Sequence, residues 1–308
     1  METATVGPTD LRTSRIGFGC WAMGGHGYGH VDDRESIQAV RKALDVGINL
    51  FDTADVYGFG HSEEVLAEGL GDQRKNVIIA TKFGVCWDEQ GETFKDCSPR
   101  RVFEAVEGSL RRLQIDCIPL YQIHWHDGKT PLEEVMDALE RCREAGKILH
   151  VGCCNLSQDL LLTACRNHKL VSYQCLYSLA RRENEETIRN AAIEQGIGTL
   201  PFGVIGRGVF SGKFAETSRF GEKDTRKEDK DFQGNQLKKN LSIADALEKI
   251  GKKYEKTSSQ VAIRWVLDNP DVTCALVGMK NEKQVSENFG ALGWSLEQSD
   301  FEQIGSLA

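Results

Sequence analysis

Short β-prone runs alternate with amphipathic stretches along nearly the whole chain. Eight runs rich in Val, Ile, Leu and Phe read as strands, at residues 15–19, 48–53, 77–82, 118–124, 148–153, 171–177, 197–202 and 273–278. Between them, residues 34–46, 62–70, 99–113, 132–145, 158–167 and 185–195 place apolar side chains at helical spacing. The boundaries agree: Ser98 and Pro99 stand where an N-cap and a first helical position belong, and Gly47, Gly146 and Gly196 follow helices. Strands joined through helices pair in parallel, with right-handed crossovers. Eight such units predict one domain over residues 1–308, an α/β (β/α)8 TIM barrel. Two more helical segments, 241–254 and 258–267, both precede the eighth strand, so extra helices near the C-terminus are expected. An open doubly wound sheet is the competing architecture. Its G-x-G-x-x-G fingerprint is missing, since the glycines at 25, 27 and 29 and at 206 and 208 have the wrong spacing.

A chain of 308 residues can bury the core that one large barrel needs. With 40% hydrophobic and 27% charged residues, the composition is that of an ordinary globular protein. The net charge of −8 argues against a nucleic-acid partner, because neutralising phosphates takes a basic face. No apolar run reaches the ~18 residues of a membrane span, and residues 1–10 lack the pattern of a secretion signal. The ten cysteines form no C-x-x-C, and Cys153 with Cys154 is the one close pair. Cys117, Cys142, Cys165, Cys175 and Cys274 lie in apolar surroundings and read as small core residues, which points to a reducing cytoplasm. The charge-dense stretch 218–239 reads either as a solvated loop or as a mobile lid at the exit of the seventh strand.

In a barrel of this kind, reactive groups belong at the C-terminal ends of the strands. Asp52, Lys82 and His124 end strands two, three and four, and Tyr57 follows Asp52 by five residues. Each has an ordinary structural reading: a helix cap, a rim charge, a satisfied core histidine. Together they suit one chemistry. A lysine at the end of an apolar strand needs a counter-ion, and Asp52 can supply it. A tyrosine with its usual pKa near ~10 donates a proton poorly, and a neighbouring ammonium should lower that value. His124 would then hydrogen-bond and orient a carbonyl. No metal is required.

The dispersed motifs resemble those of the aldo-keto reductase superfamily, most closely its bacterial-type, short-loop branch. The segment 51–58, Phe-Asp-Thr-Ala-Asp-Val-Tyr-Gly, with 61–63 behind it, matches the signature; 79–82, 120–125, 152–155, 174–179, 206–208 and 278–288 follow in the family's order. The resemblance runs from about Ile16 to Asn288. It implies that a small-molecule aldehyde or ketone, sugar-like in some relatives, is reduced by hydride transfer. It also implies a catalytic tetrad of Asp52, Tyr57, Lys82 and His124, with Tyr57 as proton donor. Asn155 and Gln174 would hold the nicotinamide carboxamide, and Phe202 would stack on the ring. Gly206, Arg207, Gly208 and Lys213 would form the pyrophosphate loop. Gly278, Lys280, Gln284 and Asn288 would surround the adenosine phosphate, where Lys280 favours NADPH over NADH. Cys154 and Phe202 depart from the serine and tyrosine usual at their positions, though a phenylalanine face still stacks. Trp21, Tyr28, Trp87, Trp125 and His126 are the candidate walls of the substrate pocket, and rim packing is their alternative role.

Two other functions compete. His124 and His126 form an H-x-H at a strand end, which with Asp52 would suit a metal-dependent hydrolase. A cofactor-binding regulatory protein would keep the same dinucleotide site and dispense with turnover.

Overall fold

The computed structural model describes residues 2–25, 31–222 and 224–307. Eight parallel strands form one sheet: β1 (Ile16–Gly19), β2 (Leu50–Asp52), β3 (Ile78–Phe83), β4 (Ile118–Ile123), β5 (Ile148–Cys154), β6 (Leu170–Gln174), β7 (Gly198–Thr199) and β8 (Ala275–Gly278). Neighbours in sequence are neighbours in the sheet, and β8 pairs with β1, Ala275 opposite Ile16. The ring closes between β7 and β8: the Thr273 N–H donates to Thr199 O at 3.0 Å and the Leu276 N–H to Pro201 O at 2.8 Å. This is the expected (β/α)8 barrel.

Six of the eight strands are shorter than the sequence runs, most of all β7. Pro201 has no N–H to give towards β8, while on the other side the Leu200 N–H donates to Tyr173 O and the Phe202 N–H to Cys175 O, each at 2.9 Å; Phe202 rejoins the sheet through isolated bridges to Leu176 and Leu276. Period-two alternation sorts the side chains. Leu50, Ile78, Ala80, Leu120 and Leu276 fill the barrel interior, whereas Phe51, Ile79, Phe83, Tyr121 and Ile123 face the helices. The same alternation turns Asp52 and Lys82 inward at the C-terminal end.

The outer ring comprises α1 (Asp33–Val46), α2 (His61–Leu70), α3 (Pro99–Leu113), α4 (Leu132–Glu144), α5 (Gln158–Asn167), α6 (Glu185–Ile193), α7 (Gly234–Tyr254), α8 (Ser258–Asp268) and α9 (Glu282–Phe289), followed by α10 (Gln298–Leu307). Their ends follow local chemistry. In α3 the Ser98 hydroxyl accepts from the Arg101 N–H, Pro99 fills the first turn, and Gln114 ends the helix in a left-handed conformation. Its Val102, Val106 and Leu113 are fully buried, each contributing about 1.5–3 kcal/mol of hydrophobic stabilisation. Helices α7 and α8 both precede β8, as expected, but α7 begins at Gly234, not near 241, because Leu237 and Asn240 extend its buried face by a turn. α10 covers Trp265, whose ring stacks 5.6 Å from Phe301.

Two antiparallel hairpins are not foreshadowed by the alternation. Thr3–Thr5 pairs with Arg12–Ser14 and delivers Val6 into the apolar cluster inside the barrel. Val85–Trp87 pairs with Thr93–Lys95 beyond the end of β3, at the C-terminal end of the barrel. The described residues of the charge-dense stretch 218–239 are neither a bare linker nor wholly solvated, and its end belongs to α7. Phe214, Phe220 and Phe232 pack edge to face, and Arg181 grips Asp231 at 2.8 Å. All ten thiols are free; Cys142, Cys175 and Cys274 are core residues as expected, while Cys117 and Cys165 are only half-buried. Among the described residues no helix is long and apolar enough to cross a membrane.

Candidate active site

Three neighbouring strands, β2, β3 and β4, and the loop after β2 bring the predicted tetrad together. The Lys82 ammonium is fully buried at the end of β3; it donates to Asp52 Oδ2 at 2.7 Å and to the Thr53 carbonyl at 2.7 Å. The Tyr57 hydroxyl lies 3.4 Å from the same nitrogen. Gln174 from β6 donates to Asp52 Oδ1 at 2.8 Å, and Gln122 from β4 approaches the same oxygen at 3.4 Å. Both carboxylate oxygens are thereby engaged, and the lysine has one position it can take. The Tyr57 and His124 rings meet edge to face, centroids 5.7 Å apart. The Asn155 side-chain amide donates to the His124 carbonyl at 3.2 Å, and Asn155 itself is left-handed at φ 55°.

Electrostatics assign the protonation states. Burial is the largest effect on the Lys82 ammonium and penalises it, but Asp52, Tyr57 and Cys154 together outweigh it and hold the pKa above its ordinary value. Burial also raises Tyr57; Lys82 opposes this and Asp52 reinforces it. The sequence expectation of a lowered tyrosine is therefore corrected: the ammonium pulls down, desolvation wins, and the phenol stays protonated at neutral pH. His124 is pushed far below the usual histidine range by burial, then by Lys82 and Lys95, so its imidazole is neutral.

Above the tetrad opens a cleft of about 960 Å³. One wall carries Trp21, Val56, Phe59, Val85 and Trp125 around Tyr57 and His124. Away from it the cleft runs past Asn155, Gln174 and Phe202, then Arg207 and Gly208, to Lys280, Gln284 and Asn288. The loop after β7 turns through left-handed residues at Gly203, Gly206, Arg207 and Gly208. Arg207 lies 5.2 Å above the Trp21 ring and pairs with Asp229 at 2.8 Å. At the far end the Lys280 N–H donates to Gln284 Oε1 at 2.8 Å, and the Gln284 N–H to Asn281 Oδ1 at 3.0 Å. Lys213 and Gly278 also line the cleft.

Not every expected residue lies there. Gly206 shapes the loop from behind, and the walls of the cleft do not include Trp87 or His126. Trp87 packs against Phe59 at 5.5 Å, which makes it a support of that wall. His126 turns its Nδ1 to the Gly128 N–H at 3.1 Å. It diverges from His124, and Asp52 is taken up by Lys82 and Gln174, so the hydrolase ligand set is not assembled. Tyr28 lies outside the described residues. Sequence reasoning missed Phe59, Val85 and Thr93, which come from a turn and an unforeseen hairpin. It also missed Arg226, which reaches the cleft from the charge-dense stretch and is held by Asp224 at 2.5 Å. The charge run was its one signal.

The aldo/keto reductase family model matches residues 15–308. The chain is 37% identical over its full length to aldo-keto reductase YhdN of Bacillus subtilis (strain 168), covering 93% of that protein. It is 34% identical over 94% of its length to aldo-keto reductase yakc [NADP(+)] of Schizosaccharomyces pombe (strain 972 / ATCC 24843), covering 86% of it. It is 30% identical over its whole length to the NADH-specific methylglyoxal reductase of Escherichia coli (strain K12), covering 98% of it. Among solved structures, the glycerol dehydrogenase AKR11B4 from Gluconobacter oxydans superposes with a TM-score of 0.91 at 36% identity, over 99% of this chain and 94% of that one. With the barrel, the assembled strand-end groups and a family match reaching from the first barrel strand to the C-terminus, the chain belongs to the aldo/keto reductase family, whose members are carbonyl oxidoreductases.

Proposed function

We propose that the protein reduces an aldehyde or ketone to an alcohol with NADPH, with Tyr57 as the proton donor. One observation carries the reading: the Tyr57 hydroxyl stands 3.4 Å from an ammonium that Asp52 locks in place at 2.7 Å, at the floor of the cleft. The residues present fit a nicotinamide dinucleotide. The cleft is long, and its size sits at the upper end of small-ligand sites. The amide nitrogens of Asn155 and Gln174 are committed to His124 and Asp52, which leaves their amide oxygens to accept from a carboxamide. Phe202 offers a ring face, and the glycines of the β7 loop let a diphosphate approach the backbone. When bound, the reduced nicotinamide supplies the hydride.

The chain's own residues do the rest. His124, held neutral, donates a ring N–H to the carbonyl oxygen and orients it. As negative charge grows on that oxygen, the Tyr57 hydroxyl releases its proton to it. Lys82 stabilises the developing phenolate without changing its own protonation state. The raised pKa of Tyr57 suits this role: the proton is present at neutral pH, and an alkoxide is basic enough to take it. Trp21, Val56 and Phe59 keep water from the site.

The preference for NADPH rests on Lys280 and Arg226 at the adenosine end of the cleft, where a 2′-phosphate would bring its charge. Relatives named for NADP(+) and for NADH both exist, so the choice is a matter for measurement. The glycerol dehydrogenase among the neighbours makes sugar-like, polyhydroxylated carbonyls the first substrates to try. The test is the loss of reduced-nicotinamide absorbance with a panel of such carbonyls, using wild type and Tyr57→Phe. Wild-type turnover that drops by about 10²-fold or more in Tyr57→Phe, with dinucleotide binding kept, is the expected result. Turnover retained in Tyr57→Phe would overturn the assignment, and a wild type that binds dinucleotide but turns over nothing would favour a regulatory protein.

A further inference from the structure

The loop that presents Tyr57 is gripped on both sides by side chains that the reduction itself does not use. Asp55 is fully buried, and its Oδ2 accepts from Arg101 Nη2 in the first turn of α3 at 2.6 Å. The Arg101 guanidinium lies 5.7 Å from the centre of the Trp87 ring, on the Val85–Trp87 strand of the second hairpin. The Trp87 ring in turn packs 5.5 Å from Phe59. Phe59 is back in the Tyr57 loop, in the left-handed region at φ 58°. The circuit thus leaves the loop two residues before Tyr57 and returns two residues after it. It passes through α3 and the Val85–Trp87 hairpin on the way.

As a stabilising device this arrangement is poor. Asp55 Oδ1 is buried with no hydrogen-bond partner among the described residues. Burial dominates the carboxyl, and Glu63 from α2 adds to it; Arg101 and Arg112 from α3 oppose them, and the group is pushed up to about 7. Tyr121 from β4 and Cys86 from the hairpin share its surroundings. A well-packed apolar pair would hold α3 to this loop at less cost. What an ion pair with a fixed fork adds is direction: it sets where residue 55 stands, and through the stacked rings where residue 59 stands.

We infer that Asp55, acting through Arg101, Trp87 and Phe59, is a positioning residue that fixes the Tyr57 hydroxyl over Lys82. The inference rests on Tyr57 being the proton donor. Its test compares Asp55→Asn, Trp87→Leu and Trp87→Phe with wild type and Tyr57→Phe, in steady-state carbonyl reduction and in dinucleotide binding. Misplacing the hydroxyl lowers kcat by roughly tenfold or more in Asp55→Asn and Trp87→Leu, with KM and dinucleotide Kd within about twofold of wild type. Trp87→Phe keeps a ring between Arg101 and Phe59 and retains kcat. In wild type, kcat falls as the pH drops through about 7, because protonation discharges the Asp55 end of the clamp; Asp55→Asn loses this acid limb. Should Asp55→Asn fail to fold, the Trp87 pair decides alone. Full kcat in Trp87→Leu, or equal losses in Trp87→Leu and Trp87→Phe, overturns the clamp while leaving the proton donor standing. Full turnover in Tyr57→Phe overturns the proton donor and the clamp with it.

Discussion

Gly24 and Gly58 meet backbone to backbone where the loop leaving β1 crosses the loop leaving β2. A Cβ on Gly58 would lie 2.2 Å from the Gly24 carbonyl oxygen, and one on Gly24 would lie 2.7 Å from the Gly58 nitrogen. Gly58 also holds φ +62°, which side chains resist. The crossing therefore sets the height of the residue beside it, Tyr57. Gly58→Ala is expected to destabilise the fold by about 1–3 kcal/mol. It should also lower kcat by roughly tenfold or more, since a displacement near ~1 Å is enough. Thermal unfolding together with steady-state kinetics checks both, and an unchanged kcat would show that Tyr57 is positioned independently of the crossing.

Lys82 is the costliest residue of the site to remove. Its ammonium is wholly buried, and taking it away leaves the Asp52 carboxylate without its partner. Lys82→Met is expected to lose carbonyl reduction and about 3–5 kcal/mol of stability. Asp52→Asn should be milder in turnover, because an asparagine oxygen can still accept from the ammonium. Urea unfolding and turnover, measured on both variants, separate the two contributions. Equal loss of kcat in the two variants would mean that Asp52 acts on the substrate directly.

How far this was legible in the sequence depends on what each residue type can do alone. The eight strands follow from short β-prone runs between helical stretches, and the placement of Asp52, Lys82 and His124 follows from their position at the ends of those runs. The four candidate residues were legible through their joint placement at strand ends and through the family motifs, although each alone has an ordinary structural reading. The closed form of the β7 loop, the Val85–Trp87 hairpin and the place of Trp87 behind Phe59 were not. Those depend on turn geometry and on packing between segments distant in sequence. The direction of the Tyr57 shift was misjudged for a related reason: the charge on Lys82 can be read from a sequence, whereas the depth of burial that outweighs it cannot.

The neutral state of His124 has a measurable sign. Its folded pKa lies far below the unfolded value near ~6.5, first through burial, then through Lys82 and Lys95. Below that unfolded value the unfolded chain takes up a proton that the folded one refuses, so His124 makes stability fall as the pH falls, by up to about 1.4 kcal/mol per pH unit. Asp55, raised to about 7, works in the opposite sense. The comparison must therefore be a difference: His124→Gln is expected to lose less stability than wild type between pH 6.5 and 5. Parallel losses in urea unfolding at the two pH values would show that the imidazole charges in the folded state.

On the proposed reading, cofactor choice is set by charges at the far end of the cleft. Arg226 is held by Asp224, and Lys280 sits close enough to both that burial and Arg226 lower its pKa while Asp224 raises it. Arg226 and Lys280 both line this end of the cleft, just before the start of α9, where an incoming phosphate gains a charge-assisted contact and a bare ribose hydroxyl gains little. Lys280→Ala is therefore expected to lower kcat/KM for NADPH by roughly tenfold, the loss of about one charge-assisted contact, and to leave NADH within about twofold. Arg226→Ala should act in the same direction. It should also loosen the segment around Asp224, so limited proteolysis of residues 218–233 should quicken in that variant and slow again with bound NADPH. If NADPH keeps its advantage in Lys280→Ala, the 2′-phosphate is recognised elsewhere; if NADH is the better substrate of the wild type, these charges serve the loop and not the cofactor.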